Sequence, residues 1–205
     1  MPHPQFPVLC LASASPRRKA LLASIGVKVD VIACDVDETL LPGEVSVDYV
    51  IRLAMAKASA AIPSTDLPIL GSDTAVVLDD CVLGKPQDAD HAAAMLRSLS
   101  GRSHDVVTAV AVHGPGGMLT ACVTTQVTMR RLSEAEIAAY WRTGEPQDKA
   151  GGYAIQGKAA IFVERIAGSH SAVVGLPLYE TAELLSRQGV PLWDGAWEHD
   201  AGLPC

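Results

Sequence analysis

The stretch VLCLASASPRRKALLASIG, residues 8–26, contains a complete strand-to-helix unit. Its first five residues, 8–12, form the apolar run typical of a buried strand. The pattern that follows predicts a helix over Pro16–Ile25, with Ser15 as the N-cap, proline at the first helical position and Gly26 just past the end. The fold is therefore expected to open with a strand that runs directly into a helix.

Strand-like and helical patterns continue to alternate along the rest of the chain. Further helices are predicted over residues 46–61, 89–99, 134–143 and 177–186. Further strands are predicted over residues 27–34, 69–72, 75–82 (a hairpin turning at Asp79-Asp80), 106–113, 121–129 and 153–166. This order predicts an α/β protein with a mixed twisted sheet. We expect one domain over residues 1–188, followed by an irregular tail over 189–205.

Composition narrows the functional classes. The chain has 205 residues, is 49% hydrophobic and 19% charged, and carries a formal net charge of -7. No apolar run approaches the roughly 20 residues of a membrane helix, and the N-terminus lacks a secretory pattern. The five cysteines are odd in number and scattered, which is typical of a reducing compartment. We therefore expect a cytoplasmic protein without nucleic-acid or membrane partners, although a local basic cluster can still bind a small anion.

The first strand-to-helix turn has the chemistry of an anion site. A helix N-terminus presents unpaired backbone N–H groups and the positive end of the helix dipole. Ser13 and Ser15 add hydroxyl donors, and Arg17 and Arg18 add guanidinium groups that match phosphate oxygens. Neither G-x-x-x-x-G-K-[ST] nor G-x-G-x-x-G is present. The alternative is an ordinary N-cap followed by solvated basic residues.

Residues 35–40, DVDETL, suggest a different chemistry. They match the D-x-D-x-T-L signature of haloacid-dehalogenase-like phosphatases, in which Asp35 would be the phosphoryl nucleophile and Asp37 a general acid. That signature normally lies on the first strand, whereas a strand-helix unit precedes it here. The later acidic metal motif of those enzymes is also missing. The other reading of these aspartates is a charged loop after a strand.

Three further residues could converge on a bound anion. Asp73 follows the predicted strand 69–72, and acidic residues at strand ends are frequent catalytic positions in α/β folds. Lys57 falls on the apolar face of the 46–61 helix, where it either snorkels outward or reaches an anion. Lys85 lies in a stiff Gly-Lys-Pro turn. Each could also be an ordinary cap or a solvated surface charge.

Together with the two arginines, Lys57 and Lys85 would supply four cations for a triphosphate. Glu38 and Asp73 could then hold a divalent metal between them. Hard oxygen ligands favour Mg²⁺ or Mn²⁺.

The whole set of motifs resembles the Maf family of nucleoside triphosphate pyrophosphatases, from about Val8 to Leu185. The matching stretches, in the order of the family, are LASASPRR (11–18), VDET (36–39), RLAMAK (52–57), LGSDTAV (70–76), GKP (84–86), LSG (99–101), DKAGGYAIQG (148–157) and VVGLPL (173–178). The resemblance implies an α/β fold with a mixed sheet, two lobes around a deep cleft, and an architecture similar to inosine triphosphate pyrophosphatases.

The implied reaction is hydrolysis of a nucleoside triphosphate between the α and β phosphates. By this resemblance Asp73 is the general base, a divalent metal bridges substrate oxygens, and Arg18, Lys57 and Lys85 stabilise phosphate charge. Glu38 is the expected partner of Asp73 at the metal. A homodimer is plausible on the same grounds.

The resemblance also indicates a subfamily. The branch that prefers dTTP and UTP, rather than 7-methyl-GTP, resembles this chain at Arg17, Thr74 and Gln156. Gln156 offers both a donor and an acceptor to a uracil or thymine edge. Without the resemblance, Gln156 would be read as a polar residue facing solvent. Two alternatives remain besides the pyrophosphatase: a phosphatase that uses Asp35, and a non-catalytic nucleotide-binding regulator of cell division.

Overall fold

The computed structural model describes residues 6–193 of the chain. Its strands are β1 (Leu9–Leu11), β2 (Val29–Val31), β3 (Ile69–Leu78), β4 (Cys81–Leu83), β5 (Ser103–Gly114), β6 (Gly117–Met129) and β7 (Val163–Ala167). Its α-helices are α1 (Pro16–Ser24), α2 (Ser46–Ala61), α3 (Ala89–Leu99), α4 (Glu134–Trp141), α5 (His170–Val174) and α6 (Leu178–Arg187). Short 3-10 turns cover Ile62–Ser64, Glu145–Asp148, Ala150–Gly152 and Lys158–Phe162. No described helix is long and apolar enough to cross a membrane.

The strands form one seven-stranded mixed sheet in the order β2-β1-β3-β5-β6-β7, with β4 paired to β3. β1 runs parallel to β2 and β3, and the remaining pairs are antiparallel. The predicted α/β class with a mixed sheet is therefore confirmed. The first turn also forms as predicted, because the Ser15 side chain caps α1 and Pro16 occupies its first turn.

One strand prediction stops too early. β3 is a single ten-residue strand, whereas the sequence analysis ended one strand at Ser72 and began the hairpin only at Ala75. The run stays extended because β5 pairs with β3 continuously from Ile69 to Val77. The predicted turn at Asp79-Asp80 is confirmed, and both residues have the positive φ that suits a two-residue hairpin.

The strand predicted over residues 153–166 is wrong for most of its length. β7 begins only at Val163, and a 3-10 turn precedes it. The apolar residues of this stretch, including Tyr153, Ile155 and Phe162, are buried by packing into a core cluster rather than by strand alternation. The strand predicted over 27–34 shortens to β2.

Side-chain alternation along β3 divides the core into three clusters. The odd-numbered residues, such as Ile69 and Val77, pack with α2 on one face of the sheet. On the other face, Leu70 joins a cluster that includes residues of α1 and α6. Further along the same face, Val76 joins a cluster that includes residues of α3 and α4. Helices therefore cover both sides, and the second face carries two separate lobes.

A gap in the sheet separates those lobes. β1 pairs with β3 only as far as Leu70, where Ala12 N donates to the Leu70 carbonyl. β4 pairs with β3 only from Val76 onward. No described strand covers the side of β3 between these two residues. The cleft described below lies at this gap.

Gly71 fixes the distance between α2 and β3. A Cβ atom at this position would lie 2.2 Å from the Ala54 carbonyl oxygen, so the helix backbone lies directly against the strand. Lys57, one turn further along α2, is thereby placed beside Asp73, two residues further along β3.

The predicted irregular tail is only partly described. Val190 and Leu192 are buried in the cluster with α1 and α6. Residues 194–205 lie outside the described residues.

Candidate active site

A cleft of about 570 Å³ lies at the gap in the sheet. All of the site residues predicted from the sequence line it: Ser13, Arg17, Arg18, Glu38, Lys57, Asp73, Thr74, Lys85 and Gln156. They come from α1 and the turn before it, the segment before α2, α2 itself, β3, the turn after β4 and the 153–157 segment. The fold thus brings together residues that are up to 143 positions apart in the chain, from Ser13 to Gln156.

Lys57 joins two carboxylates on the α2 side of the sheet. Its Nζ lies 2.7 Å from Asp73 Oδ1 and 2.5 Å from Glu38 Oε1. Lys57 and Asp73 are both buried, whereas the Glu38 side chain is 48% exposed. Lys57 thus lies on the inner face of α2, as its helical spacing predicted, and its ammonium group pairs with acidic residues rather than snorkelling outward.

The pKa values of the two carboxylates are shifted in opposite directions. Burial raises the pKa of Asp73, an effect that the charge of Lys57 and the hydrogen bond from it only partly offset. Burial also acts to raise the pKa of Glu38, but the hydrogen bond and charge of Lys57 and the charges of Lys85 and Arg18 together outweigh it, so that this pKa is lowered. The arrangement gives one carboxylate with a stronger tendency to take a proton and one that stays ionised.

The donor set for a divalent metal is small. Among residues 6–193 no three acidic, histidine or cysteine side chains cluster as a metal centre. Glu38 and Asp73 supply carboxylate oxygens to the same point, which Lys57 Nζ occupies here. Mg²⁺ is commonly held by one or two carboxylates together with substrate phosphates and water. Lys57 pairs with one oxygen of each carboxylate, and the second oxygens of Glu38 and Asp73 are donors that fit a metal binding together with a nucleotide.

Arg18 is held by three acceptors on the opposite face of the sheet. Its Nε donates to the Gly175 carbonyl at 2.8 Å, and its two terminal nitrogens donate to Ser13 Oγ at 3.1 Å and Thr74 Oγ1 at 3.4 Å. Burial lowers the pKa of Arg18 from its usual high value. A guanidinium carries five N–H donors, so two remain for a ligand in the cleft.

Arg17 lies at the mouth of the same turn. Its guanidinium approaches Asp148 Oδ2 at 3.8 Å, and Asp148 also pairs with Lys149. The Lys149 side chain is 14% exposed and lines the cleft. The sequence analysis did not single out Lys149, although it lies in the DKAGG stretch that carried the family resemblance.

Hydrogen bonds to the Glu145 carboxylate hold the segment that carries Gln156. The Glu145 carboxylate accepts hydrogen bonds from Tyr140 Oη at 2.8 Å, Lys158 N at 3.0 Å and Ala159 N at 3.3 Å. Tyr140 Oη in turn accepts from Ala154 N at 3.1 Å. Gln156 itself is exposed in the cleft. Sequence reasoning missed Glu145, because its contacts join residues that no helical or strand period relates.

Gly157 is required by this anchor, since a Cβ atom there would lie 2.4 Å from Glu145 Oε2. A second anchor is the buried hydrogen bond between His104 Nε2 and Tyr153 Oη, at 2.7 Å. Burial lowers the pKa of His104 to about 4, so the ring is neutral at physiological pH.

Lys85 lines the cleft, whereas Asp35 does not. Lys85 is exposed in the cleft, and its charge helps to lower the pKa of Glu38. The neighbouring Gly84 carbonyl accepts a hydrogen bond from Gly151 N at 3.0 Å, which connects this turn to the 3-10 turn Ala150–Gly152. Asp35 is exposed on the surface and is outside the set of cleft residues.

Residues 8–188 match the family model described as "Maf-like protein". The chain belongs to the Maf family. The haloacid-dehalogenase-like string at residues 35–40 therefore lies inside a Maf domain.

Curated relatives are similar to this chain over most of their length. A dTTP/UTP pyrophosphatase of Anaeromyxobacter dehalogenans is 55% identical over 94% of this chain and 98% of its own. Those of Saccharophagus degradans and Escherichia coli O157:H7 are each 53% identical, covering 90% and 87% of this chain and 90% and 92% of their own. Among solved structures, a HAM1 protein from Coxiella burnetii aligns with 89% of this chain and 100% of its own, at 19% identity and a TM-score of 0.47.

Proposed function

We propose that this Maf protein hydrolyses dTTP and UTP to the nucleoside monophosphate and pyrophosphate. The observation that carries the proposal is the buried Asp73 carboxylate, held by Lys57 at the gap of the sheet beside Arg18. The names of the curated relatives support the substrate class.

Asp73 is suited to act as the general base. A raised pKa moves a carboxylate toward the pH at which it works, and so strengthens it as a proton acceptor while it remains ionised. In this proposal Asp73 takes a proton from the water that attacks phosphorus. Lys57 keeps Asp73 ionised and fixes the direction of its oxygen atoms.

Four cationic side chains of the cleft are proposed to bind the phosphates. Arg18 is oriented by its three acceptors, and Lys57, Lys85 and Lys149 line the same cleft. Fixed positive charge stabilises a transition state in which negative charge grows on phosphate oxygens. Glu38 and Asp73 would hold Mg²⁺ or Mn²⁺ together with the nucleotide, and such an ion polarises a phosphoryl oxygen when bound.

Three residues that line the cleft, Arg17, Thr74 and Gln156, are proposed to select the pyrimidine nucleotide. Gln156 can donate to a uracil or thymine carbonyl and accept from a ring N–H. Its support by Glu145 and Tyr140 holds the backbone around it in one position.

Product analysis tests this function. The protein is incubated with dTTP, UTP, CTP, GTP and 7-methyl-GTP, with Mg²⁺ or Mn²⁺, and products are resolved by ion exchange. We expect monophosphate and pyrophosphate from dTTP and UTP, and a loss of about 10³-fold in kcat for Asp73→Asn. Asp35→Asn, an exposed aspartate outside the cleft, is the matched control and should keep wild-type activity.

Other products would point to other functions. Release of inorganic phosphate that depends on Asp35 would indicate the phosphatase. Nucleotide binding without any product would indicate a non-catalytic regulator. Either result overturns the proposal.

A further inference from the structure

Glu38 is carried into the cleft by an irregular connection. Residues 32–45 join β2 to α2 without forming a helix or a strand. The aliphatic residues that follow Glu38 in this connection are exposed: Leu40, Leu41 and Val45. Burial of apolar side chains therefore does not hold the backbone after Glu38, and its position depends on polar contacts.

Arg52, in α2, supplies most of those contacts. Its Nη2 donates to the Thr39 carbonyl at 3.0 Å. Its Nε and Nη2 also donate to the two carboxylate oxygens of Glu44, at 2.6 Å and 2.7 Å, in the bidentate geometry that makes an arginine–carboxylate pair strong. Glu44 Oε2 in turn accepts from Leu41 N at 3.0 Å. Arg52 and Glu44 together hold the backbone directly after Glu38.

Tyr49, one turn earlier in α2, completes this arrangement. Its Oη donates to the Glu38 carbonyl at 2.9 Å, so that α2 binds the carbonyls of Glu38 and Thr39, which are consecutive in the chain. The Arg52 guanidinium carbon lies 5.6 Å from the centroid of the Tyr49 ring. The hydrogen bond from Arg52 lowers the pKa of Glu44 to about 2, so the pair stays ionised at neutral pH.

Arg52 and Glu44 are both outside the set of residues that line the cleft. They therefore act on a ligand only through the residues that they hold. The Glu38 side chain is 48% exposed, and its carboxylate pairs with Lys57 in the cleft. A half-exposed side chain on an unsupported connection would have to be ordered when the ligand binds, and that ordering weakens binding.

Resting on the proposed function, we infer that Arg52, paired with Glu44, is a positioning residue that fixes Glu38 in the cleft before the nucleotide and its metal arrive. The pair contributes no group to the chemistry. It removes the cost of ordering Glu38 at the moment of binding.

Arg130 offers a matched control, because it makes the same kinds of contact elsewhere in the molecule. It pairs with Glu136 Oε1 at 2.7 Å, donates to the Ile161 carbonyl at 2.9 Å, and lies 5.4 Å from the centroid of the Phe162 ring. Its side chain is 37% exposed, against 32% for Arg52. None of these residues of the Arg130 cluster lines the cleft. A general effect of losing such an arginine should therefore be the same at both positions.

The first part of the test measures binding without turnover. Calorimetry gives the Kd of a non-hydrolysable α,β-methylene analogue of dTTP, once with Mg²⁺ and once with EDTA. Arg52→Gln should raise the Kd about tenfold with Mg²⁺ and change it little with EDTA, because Glu38 is proposed to bind the metal together with the nucleotide. Arg130→Gln should change neither value. An unchanged Kd in Mg²⁺, or an equal loss with and without Mg²⁺, overturns the inference.

The second part asks whether Arg52 acts through Glu38. The value of kcat/KM for dTTP is measured for Arg52→Gln, for Glu38→Gln and for the double variant. Arg52→Gln should lower kcat/KM about tenfold in the wild type and have no further effect in the Glu38→Gln background, because residues that act through one another are not additive. Effects that multiply would show that the two residues act independently, and that result overturns the inference.

Two provisions keep the outcomes distinct. If Arg52→Gln does not fold, Glu44→Gln takes its place, because it removes an acceptor of the same pair and also lies outside the cleft. If the wild type binds the analogue but releases no pyrophosphate from dTTP, the proposed function fails and calorimetry alone decides the role of Arg52. If the wild type binds no nucleotide, both fail. If the wild type is active and Arg52→Gln behaves as Arg130→Gln does, only this inference fails.

Discussion

Asp73 and Thr74 are neighbours in one strand, yet they belong to two chemically different environments. On the α2 face, Asp73 joins a charged cluster with Lys57 and Glu38. On the opposite face, Thr74 belongs to a network of hydroxyls and carbonyls around the single charge of Arg18. The difference teaches that strand alternation can place a carboxylate proposed for proton transfer beside a hydroxyl proposed for ligand discrimination, while keeping their supporting residues apart.

The largest effect is expected on the charged face. Lys57→Met leaves two carboxylates without the cation that joins them, and we expect kcat/KM for dTTP to fall about 10²-fold. Because Lys57 acts to lower a pKa of Asp73 that burial raises, its removal should raise that pKa further. The base is then protonated at higher pH, so the acid limb of the pH–rate profile moves upward. Steady-state kinetics across pH measure both changes.

Lys28→Met, an exposed lysine outside the cleft, serves as the control and should leave the profile in place. An acid limb that stays unmoved in Lys57→Met would show that Lys57 does not act on the titrating group.

An intermediate effect is expected at Arg18, on the face of β3 opposite α2. Arg18→Lys keeps the positive charge but cannot reproduce the three directed hydrogen bonds, so kcat/KM should fall about thirtyfold. The acid limb should stay where it is, because the charge near Asp73 is retained. This contrast with Lys57→Met sharpens the division between the two faces.

Arg165→Lys, on the exposed side of β7, is the matched control and should change neither quantity. A shift of the acid limb in Arg18→Lys, comparable to that of Lys57→Met, would break the comparison.

The smallest effect is expected at Glu145, which supports the segment that carries Gln156. Glu145→Gln replaces one of the carboxylate oxygens, which accept from three donors, with an NH₂ group that cannot accept. We expect KM for dTTP to rise about fivefold with little change in kcat, because the segment that carries Gln156 loosens while the charged cluster stays intact.

Glu134→Gln is the control, since its ion pair with Arg97 is exposed and contributes little to stability. A large fall in kcat with an unchanged KM would show that Glu145 acts on the chemical step rather than on substrate binding.

The sequence predicted some parts of the site better than others. The anion chemistry around Ser13, Arg17 and Arg18 followed from local rules, because an N-cap and the residues after it are close in the chain. The place of Lys57 on the apolar face of α2 followed from helical spacing. Its partner Asp73 did not, because that contact depends on how closely Gly71 lets α2 approach β3. The role of Gln156 rested on the family resemblance.

Contacts between distant elements were outside the reach of local patterns. Thr108 meets Ala172 across 64 residues, and Glu145 reaches Ala159 across 14. Neither follows a helical or strand period. The strand predicted over 153–166 was wrong for most of its length, because its apolar residues pack into a core cluster without strand alternation.

The gap between β1 and β4 has a consequence for mutational robustness. Leu70 and Val76 pair on that side of β3, so by the alternation of a β ladder the backbone N–H and C=O groups of Ser72 and Thr74 also point toward it. Side chains can be exchanged by mutation, whereas backbone amides persist through every substitution except proline. The backbone at the gap therefore keeps a fixed set of donors and acceptors, while the side chains that line the rest of the cleft can change by mutation.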